Sequence, residues 1–213
     1  MLIKKCVVLF SGKGTNLKNL LENQSELNGK LQYIAAFTDN SDAPGVKICN
    51  DYNLTVTVGH GSNLDSDLSD FLVEQAPDII VLAGYMRIIP ASIVKNYKSK
   101  IINIHPSLLP KYPGLNTYQK VLENKDRYHG ATVHFVTDIL DGGPIILQGK
   151  FEISEKITLA DLENLTHKIE YKIFPIVIGW IANDIIAADG EYIRFKSKII
   201  ESPITYLMKN ESL

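Results

Sequence analysis

The chain has 213 residues, 45% of them apolar, and a formal net charge of −2, enough to bury a substantial core as one domain. Its Lys, Arg, Asp and Glu are scattered without the basic footprint that nucleic acid requires, although a local patch could hold one phosphate. Cys6 in an apolar run and Cys49 in a helix-like segment make no disulfide framework, no stretch could span a bilayer, and KKCVVLF is too short for a signal core, so a cytoplasmic protein without a membrane partner is expected.

Strand-like runs at 5–10, 33–38, 55–58, 78–83 and 101–105 alternate with helical spacing of apolar residues at 16–22, 45–52, 65–75 and 90–97. That alternation predicts an α/β fold, a mostly parallel twisted sheet with helices on both faces. The second half changes character. Runs at 132–136 and 145–153, joined by a glycine-rich link, predict antiparallel strands. Residues 159–182 read as one long amphipathic helix that Pro175 either kinks or divides, and Asp189-Gly190 marks a hairpin. The segment 181–213 could pack on the domain or on a partner, and the polar end of YLMKNESL is expected to fray.

The first strand runs into SGKGTNL, residues 11–17. Gly12 and Gly14 allow a tight turn and close backbone approach, and the helix that follows presents free N–H groups and a positive dipole end, which suits a phosphate. A dinucleotide fingerprint would need a third glycine where Leu17 stands, although Asp39 could hold a ribose, and no Gly-Lys-Ser/Thr follows for a nucleoside triphosphate. The plainer reading is that Thr15 or Asn16 caps a helix.

NIHPSLLPKYPG, residues 103–114, puts Asn103 and His105 two apart at a strand's carboxyl end, so both project to one face. An amide that donates to a developing oxyanion and an imidazole that moves a proton suit acyl transfer. Pro106, Pro110 and Pro113 stiffen the exit, as a preorganised site requires; a capped strand end with a satisfied His is the plainer alternative. In TDILDGGP, residues 137–144, Asp141 could orient His105 and favour its protonated form, or be an ordinary Asp-Gly turn residue. Ser107 lacks the Gly-x-Ser-x-Gly elbow of a hydrolase, and His129 and His134, five apart on a strand, face opposite ways, so no metal is expected.

Together SGKGTNL, LAGYMRIIP at 82–90, NIHPSLLPKYPG and HGATVHFVTDILDGGPIILQ at 129–148 closely resemble the folate-dependent phosphoribosylglycinamide formyltransferases, in that family's order and spacing, from about residue 7 to about residue 180. The resemblance implies a Rossmann-like formyltransferase fold in a single domain, 1–213, with a phosphate-binding half at about 1–100 and a catalytic, folate-binding half at about 101–213. It implies transfer of a formyl group from 10-formyltetrahydrofolate to the amine of 5-phosphoribosylglycinamide, the third step of purine synthesis, by a monomer or homodimer. Asn103, His105 and Asp141 fall on the family's catalytic residues. Gly14, Thr15 and Asn16 match its phosphate-holding positions, and Glu170 the carboxylate on the ribose hydroxyls. Met86, Arg87, Ile88 and Ile89 match one wall of the pterin pocket and residues 137–141, with Thr137 and Asp138, the other; Asn103 also falls in that pocket. Core packing for Met86, Ile88 and Ile89, and a solvated helix face for Glu170, are the plainer readings.

The chain departs from the pattern at Asn116-Thr117-Tyr118, where many members carry a His-containing segment, and at His167, where some carry a Gln near the phosphate. The loop 59–65 offers no Arg for a folate glutamate tail, which predicts a weaker preference for polyglutamylated folate. Four rival readings are disfavoured, the phosphate loop choosing against other formyltransferases and the intact Asn103, His105 and Asp141 against a binding module. A formyltetrahydrofolate hydrolase shares the Asn-His-Asp centre but usually carries a preceding regulatory domain, and a methionyl-tRNA formyltransferase a further C-terminal one. A non-catalytic binding module and an NAD-linked oxidoreductase complete the set.

Overall fold

The computed structural model describes residues 2–208 and divides into two compact units, Met1–Asn103 and Ile104–Leu213. The polar end of the tail, 209–213, lies outside the described residues.

In the first unit β1 (Lys4–Phe10), β2 (Leu31–Thr38), β3 (Thr55–Val58), β4 (Ile79–Leu82) and β5 (Ile101–His105, whose last two residues begin the second unit) alternate with α1 (Thr15–Glu22), α2 (Gly45–Asp51), α3 (Leu64–Gln75) and α4 (Ala91–Asn96). All neighbours pair in parallel, in the order β5-β4-β1-β2-β3. The central strand explains its own composition: Cys6, Val7, Val8, Leu9 and Phe10 are all fully buried, as a strand covered on both faces must be. The chain steps from β1 to β2 to β3, then returns past β1 to β4. Right-handed crossovers therefore put α1 and α2 on one face and α3 and α4 on the other. The reversal makes the carboxyl ends of β1 and β4 the switch point, where open α/β sheets receive ligands. The predicted elements of this half form with boundaries within about two residues of expectation.

In the second unit β6 (Tyr128–Phe135) and β7 (Ile145–Glu152) are antiparallel, as expected, but β6 begins four residues before the predicted run. Its early start uses Gly130, since a Cβ there would meet the carbonyl of Gly149 across the ladder. One helix the sequence reading lacked, α5 (Thr117–Glu123), precedes β6 and starts from Asn116 in the left-handed region, φ 61°. The long helix α6 (Leu159–Ala182) runs unbroken through Pro175 and opens with a Thr158/Asp161 capping box. The hairpin forms between β8 (Ile186–Asp189) and β9 (Tyr192–Phe195), with its turn one residue later than predicted, at Gly190-Glu191. Two further strands went unpredicted. β10 (Lys198–Ile200) extends that hairpin, and β11 (Ile204–Leu207) pairs in parallel with β7, so the end of the described tail packs on its own unit. Among the described residues no helix is long and apolar enough to cross a membrane.

Candidate active site

The switch point of the first unit is built by two loops latched together. The Ser11 N–H donates to the Gly84 carbonyl at 3.1 Å, and the Met86 N–H to Ser11 Oγ at 2.9 Å. Gly14 is the N-cap of α1 at φ 71°, and no side chain caps the helix. The plainer reading, a helix capped by Thr15 or Asn16, therefore does not hold. Gly14 is required twice over, because a Cβ would sit in the left-handed region and 2.7 Å from Gly45 Cα of α2. Thr15 is exposed and Asn16 buried on the first turn. Leu17, where a dinucleotide fold needs glycine, is fully buried in the core.

The segment after β4 exposes what a core would hide. Met86 is 68% and Ile88 78% exposed, whereas Ile89, at 8%, is packed inside. Core packing thus accounts for Ile89 alone, and Met86 and Ile88 present apolar surface to whatever occupies the site. Between them Arg87 Nε stands 3.9 Å from Asp39 Oδ2, at the end of β2.

In the second unit the structure brings His105 and Asp141 together. His105 Nδ1 lies 3.4 Å from Asp141 Oδ2, both side chains being under one-tenth exposed. His105 Nε2 is 2.8 Å from the Tyr112 carbonyl, which can only accept, so Nε2 carries the hydrogen. Asp141, at φ 50°, also accepts the Gly114 N–H on Oδ2 at 2.8 Å. Two glycines follow it, and at Gly143 a Cβ would run into the Phe135 carbonyl. The turn that Asp-Gly announced is real, and its carboxylate is turned inward. Thr137 is half-buried and Asp138 exposed in the same loop, beside exposed Ile139 and Leu140. Asn103 pairs opposite Leu82 in the β4–β5 ladder, two positions before His105 on one strand.

A residue that sequence reasoning set aside completes this cluster. His134 on β6, considered only as a zinc ligand, is 1% exposed and places Nε2 3.6 Å from Asp141 Oδ1. Its Nδ1 is 2.9 Å from the Phe135 carbonyl and must donate to it. With one N–H of each ring directed at a carbonyl, neither neutral imidazole can donate to Asp141. A proton added to either ring turns the contact into an ion pair.

The charges follow from these neighbours. Burial lowers the His105 pKa below its ordinary value, while the Tyr112 carbonyl, Asp141 and Glu170 pull the other way. The expectation that Asp141 favours protonated His105 holds for its own contribution, but burial outweighs it. For Asp141, burial raises the pKa and is overcome by His134, the Gly114 N–H and His105, which hold it down to about 2. The carboxylate is therefore charged throughout the neutral range.

The loop from Ser107 to Tyr112 is pinned rather than merely stiff. Thr132 Oγ1 donates to the Ser107 carbonyl at 2.6 Å and accepts the Leu109 N–H at 3.1 Å, and Gln148 Nε2 donates to the Leu109 carbonyl at 2.7 Å. Ser107, fully buried, donates to the Lys111 carbonyl at 2.7 Å, which makes it a structural hydroxyl. On α6, Glu170 is 4% exposed, so it is no solvated helix face.

Comparison with known proteins places these features in a family. Residues 4–178 match the formyl transferase family. The phosphoribosylglycinamide formyltransferase of Haemophilus influenzae is 40% identical over 186 residues, covering 84% of this chain and 87% of its own length. That of Escherichia coli is 40% identical over 185 residues, covering 83% and 86%. Among solved structures, the phosphoribosylglycinamide formyltransferase of Coxiella burnetii superposes with a TM-score of 0.89 at 32% identity, covering 96% of this chain and all of that one. The chain belongs to the formyl transferase family.

Proposed function

We propose that the protein transfers the formyl group of 10-formyltetrahydrofolate to the amine of 5-phosphoribosylglycinamide, giving the N-formyl product and tetrahydrofolate in the third step of purine synthesis. The observation that carries this reading is the buried pair of His105 and Asp141, with the tautomer of His105 fixed by the Tyr112 carbonyl. Activity and family come from the 40% identical relatives, which are phosphoribosylglycinamide formyltransferases. The chain works as one formyl-transferring domain.

The amine lone pair attacks the formyl carbon, a C–N bond forms, and the carbonyl oxygen becomes an alkoxide. Asn103 donates its amide N–H to that oxygen, and protonated His105 places a positive charge beside it. Protonation at Nδ1 is stabilised by Asp141, so burial and the carboxylate together poise the imidazole to gain and release a proton. The alkoxide then collapses back to a carbonyl and the bond between the formyl carbon and the folate nitrogen breaks; the amine loses one proton and the departing folate nitrogen gains one, so the sum is neutral, with Asp141 relaying the proton directly or through water. No covalent enzyme intermediate is required, which agrees with the structural role of Ser107.

Gly14, Thr15 and Asn16 hold the substrate phosphate at the uncapped start of α1. Glu170 accepts from the ribose hydroxyls. Met86, Arg87 and Ile88 contribute contacts to the pterin while Ile89 anchors their segment in the core, and Asn103, Thr137, Asp138 and Asp141 also belong to the folate-binding residues. The loop that continues into the turn Gly61–Asn63 offers no Arg, so the enzyme discriminates weakly between mono- and polyglutamylated folate. Mass spectrometry of the reaction tests the assignment. The amine should gain one formyl group only when donor, acceptor and protein are all present, and donor loss without a formylated acceptor would make the protein a hydrolase instead.

A further inference from the structure

Glu170 is an ionisable side chain that is 4% exposed, and such groups stay inside only when partnered. Its partner on α6 is His167, three residues earlier, whose Nδ1 stands 2.9 Å from Glu170 Oε2. A carboxylate oxygen accepts, so Nδ1 carries the hydrogen. The imidazole is held from its other side as well, lying flat on Tyr171 with ring centroids 6.0 Å apart and planes at 8°. His167, Glu170 and Tyr171 thus occupy adjacent positions on one stripe of the helix, at spacings that bring side chains into contact.

His167 is partly exposed, with 43% of its side chain accessible, and with its stacking partner Tyr171 it lines a surface cleft of about 360 Å³ beside Asn164 and Lys168. It therefore stands between solvent and the buried carboxylate. Glu170 in turn lies within electrostatic reach of His105 and of Tyr118 on α5. The position of its carboxylate is felt at the catalytic imidazole.

We propose that His167 is a positioning residue for the ribosyl substrate, clamped on Tyr171 so that its Nδ1–H holds Glu170 by Oε2 in the orientation that receives the ribose hydroxyls. This rests on Glu170 being the hydroxyl ligand. The effect belongs to substrate affinity, because His167 acts through Glu170 and not on the formyl carbon. A hydrogen bond to a charged group fixed before binding spares the substrate the ordering of that group.

The test is a set of four variants, with KM for 5-phosphoribosylglycinamide and kcat measured for each and thermal melts run alongside. His167→Asn keeps a donor close to the position of Nδ1 and loses the stack. His167→Phe keeps the stack and loses the donor. Glu170→Gln and the double variant Glu170→Gln/His167→Phe complete the cycle. We expect His167→Phe to raise KM about tenfold with kcat within about twofold, His167→Asn, which keeps the donor without the clamp, to raise KM clearly less than His167→Phe, and His167→Phe to add nothing once Glu170 is Gln. If His167→Phe melts below the assay temperature, His167→Met, which also lacks the donor, takes its place.

The proposal is overturned if Glu170→Gln raises KM while His167→Phe does not, if Asn is as impaired as Phe, or if the two effects simply add. A lower melting temperature with unchanged KM would make His167 a structural residue only. If Glu170→Gln itself leaves KM at the wild-type value, the assignment of Glu170 to the ribose fails, and that outcome is distinct from the others.

Discussion

Asp141 Oδ2 faces His105 Nδ1 at 3.4 Å while accepting the Gly114 N–H at 2.8 Å. The backbone contact fixes the carboxylate, and the fixed carboxylate favours the protonated imidazole against the burial that disfavours it. Asp141→Asn leaves an oxygen for Gly114 but removes the charge. We expect kcat to fall by roughly 100-fold or more with the fold intact; an Asn variant within threefold of wild type would remove Asp141 from the mechanism.

The same pair predicts a titration. Burial lowers the His105 pKa, so NMR of the ligand-free protein should show its midpoint below 6.5, and in Asp141→Asn lower still, because a contribution that raises it is gone. An upward shift in the variant would contradict the assignment.

Gly14→Ala places a Cβ in the left-handed region against Gly45. Backbone strain of this kind costs about 1–3 kcal/mol, and movement of the loop should also weaken phosphate binding. Calorimetric melts and KM for the phosphoribosyl substrate should both change. A change in melting temperature with KM untouched would remove the loop from the substrate site.

The segment after β4 separates binding from stability. Ile89→Ala, at a buried position, should cost about 2–5 kcal/mol. Met86→Ala and Ile88→Ala, at exposed positions, should leave denaturant midpoints near wild type while raising KM for the folate several-fold. Equal stability losses at all three positions would contradict this division.

His129 gives the protein an acid limit outside the active site. It is 1% exposed, in edge-to-face contact with Tyr118 and Phe151, and its Nε2 is buried without a hydrogen-bond partner. Burial lowers its pKa from 6.5 to about 4. The unfolded chain therefore binds this proton more readily than the folded one, and stability falls as pH drops from 6.5 towards 4, by about 3 kcal/mol over that window. His129→Phe should flatten this part of the stability profile, and an unchanged slope would show that His129 is not its source.

The parallel half of the fold was legible because its strands are short runs rich in apolar and β-branched residues, the central ones largely buried, and its helices keep regular apolar spacing. The second half was harder for specific reasons. α5 is seven residues long and opens at left-handed Asn116, which no sequence signal announced. β11 forms by pairing with β7, a tertiary contact that a short alternating run such as ITYL does not encode by itself. At the site, strand spacing and proline stiffening picked out His105, but the ring's charge depends on burial, which spacing does not report. His134 escaped because its function lies in a contact with Asp141 made across a loop.

The central claim is best tested by following 10-formyltetrahydrofolate consumption by absorbance, with and without 5-phosphoribosylglycinamide, for the wild type and His105→Ala. The account predicts consumption that requires the amine and falls by roughly 100-fold or more in the variant. Consumption that proceeds equally without the amine, or that survives loss of the imidazole, would contradict it.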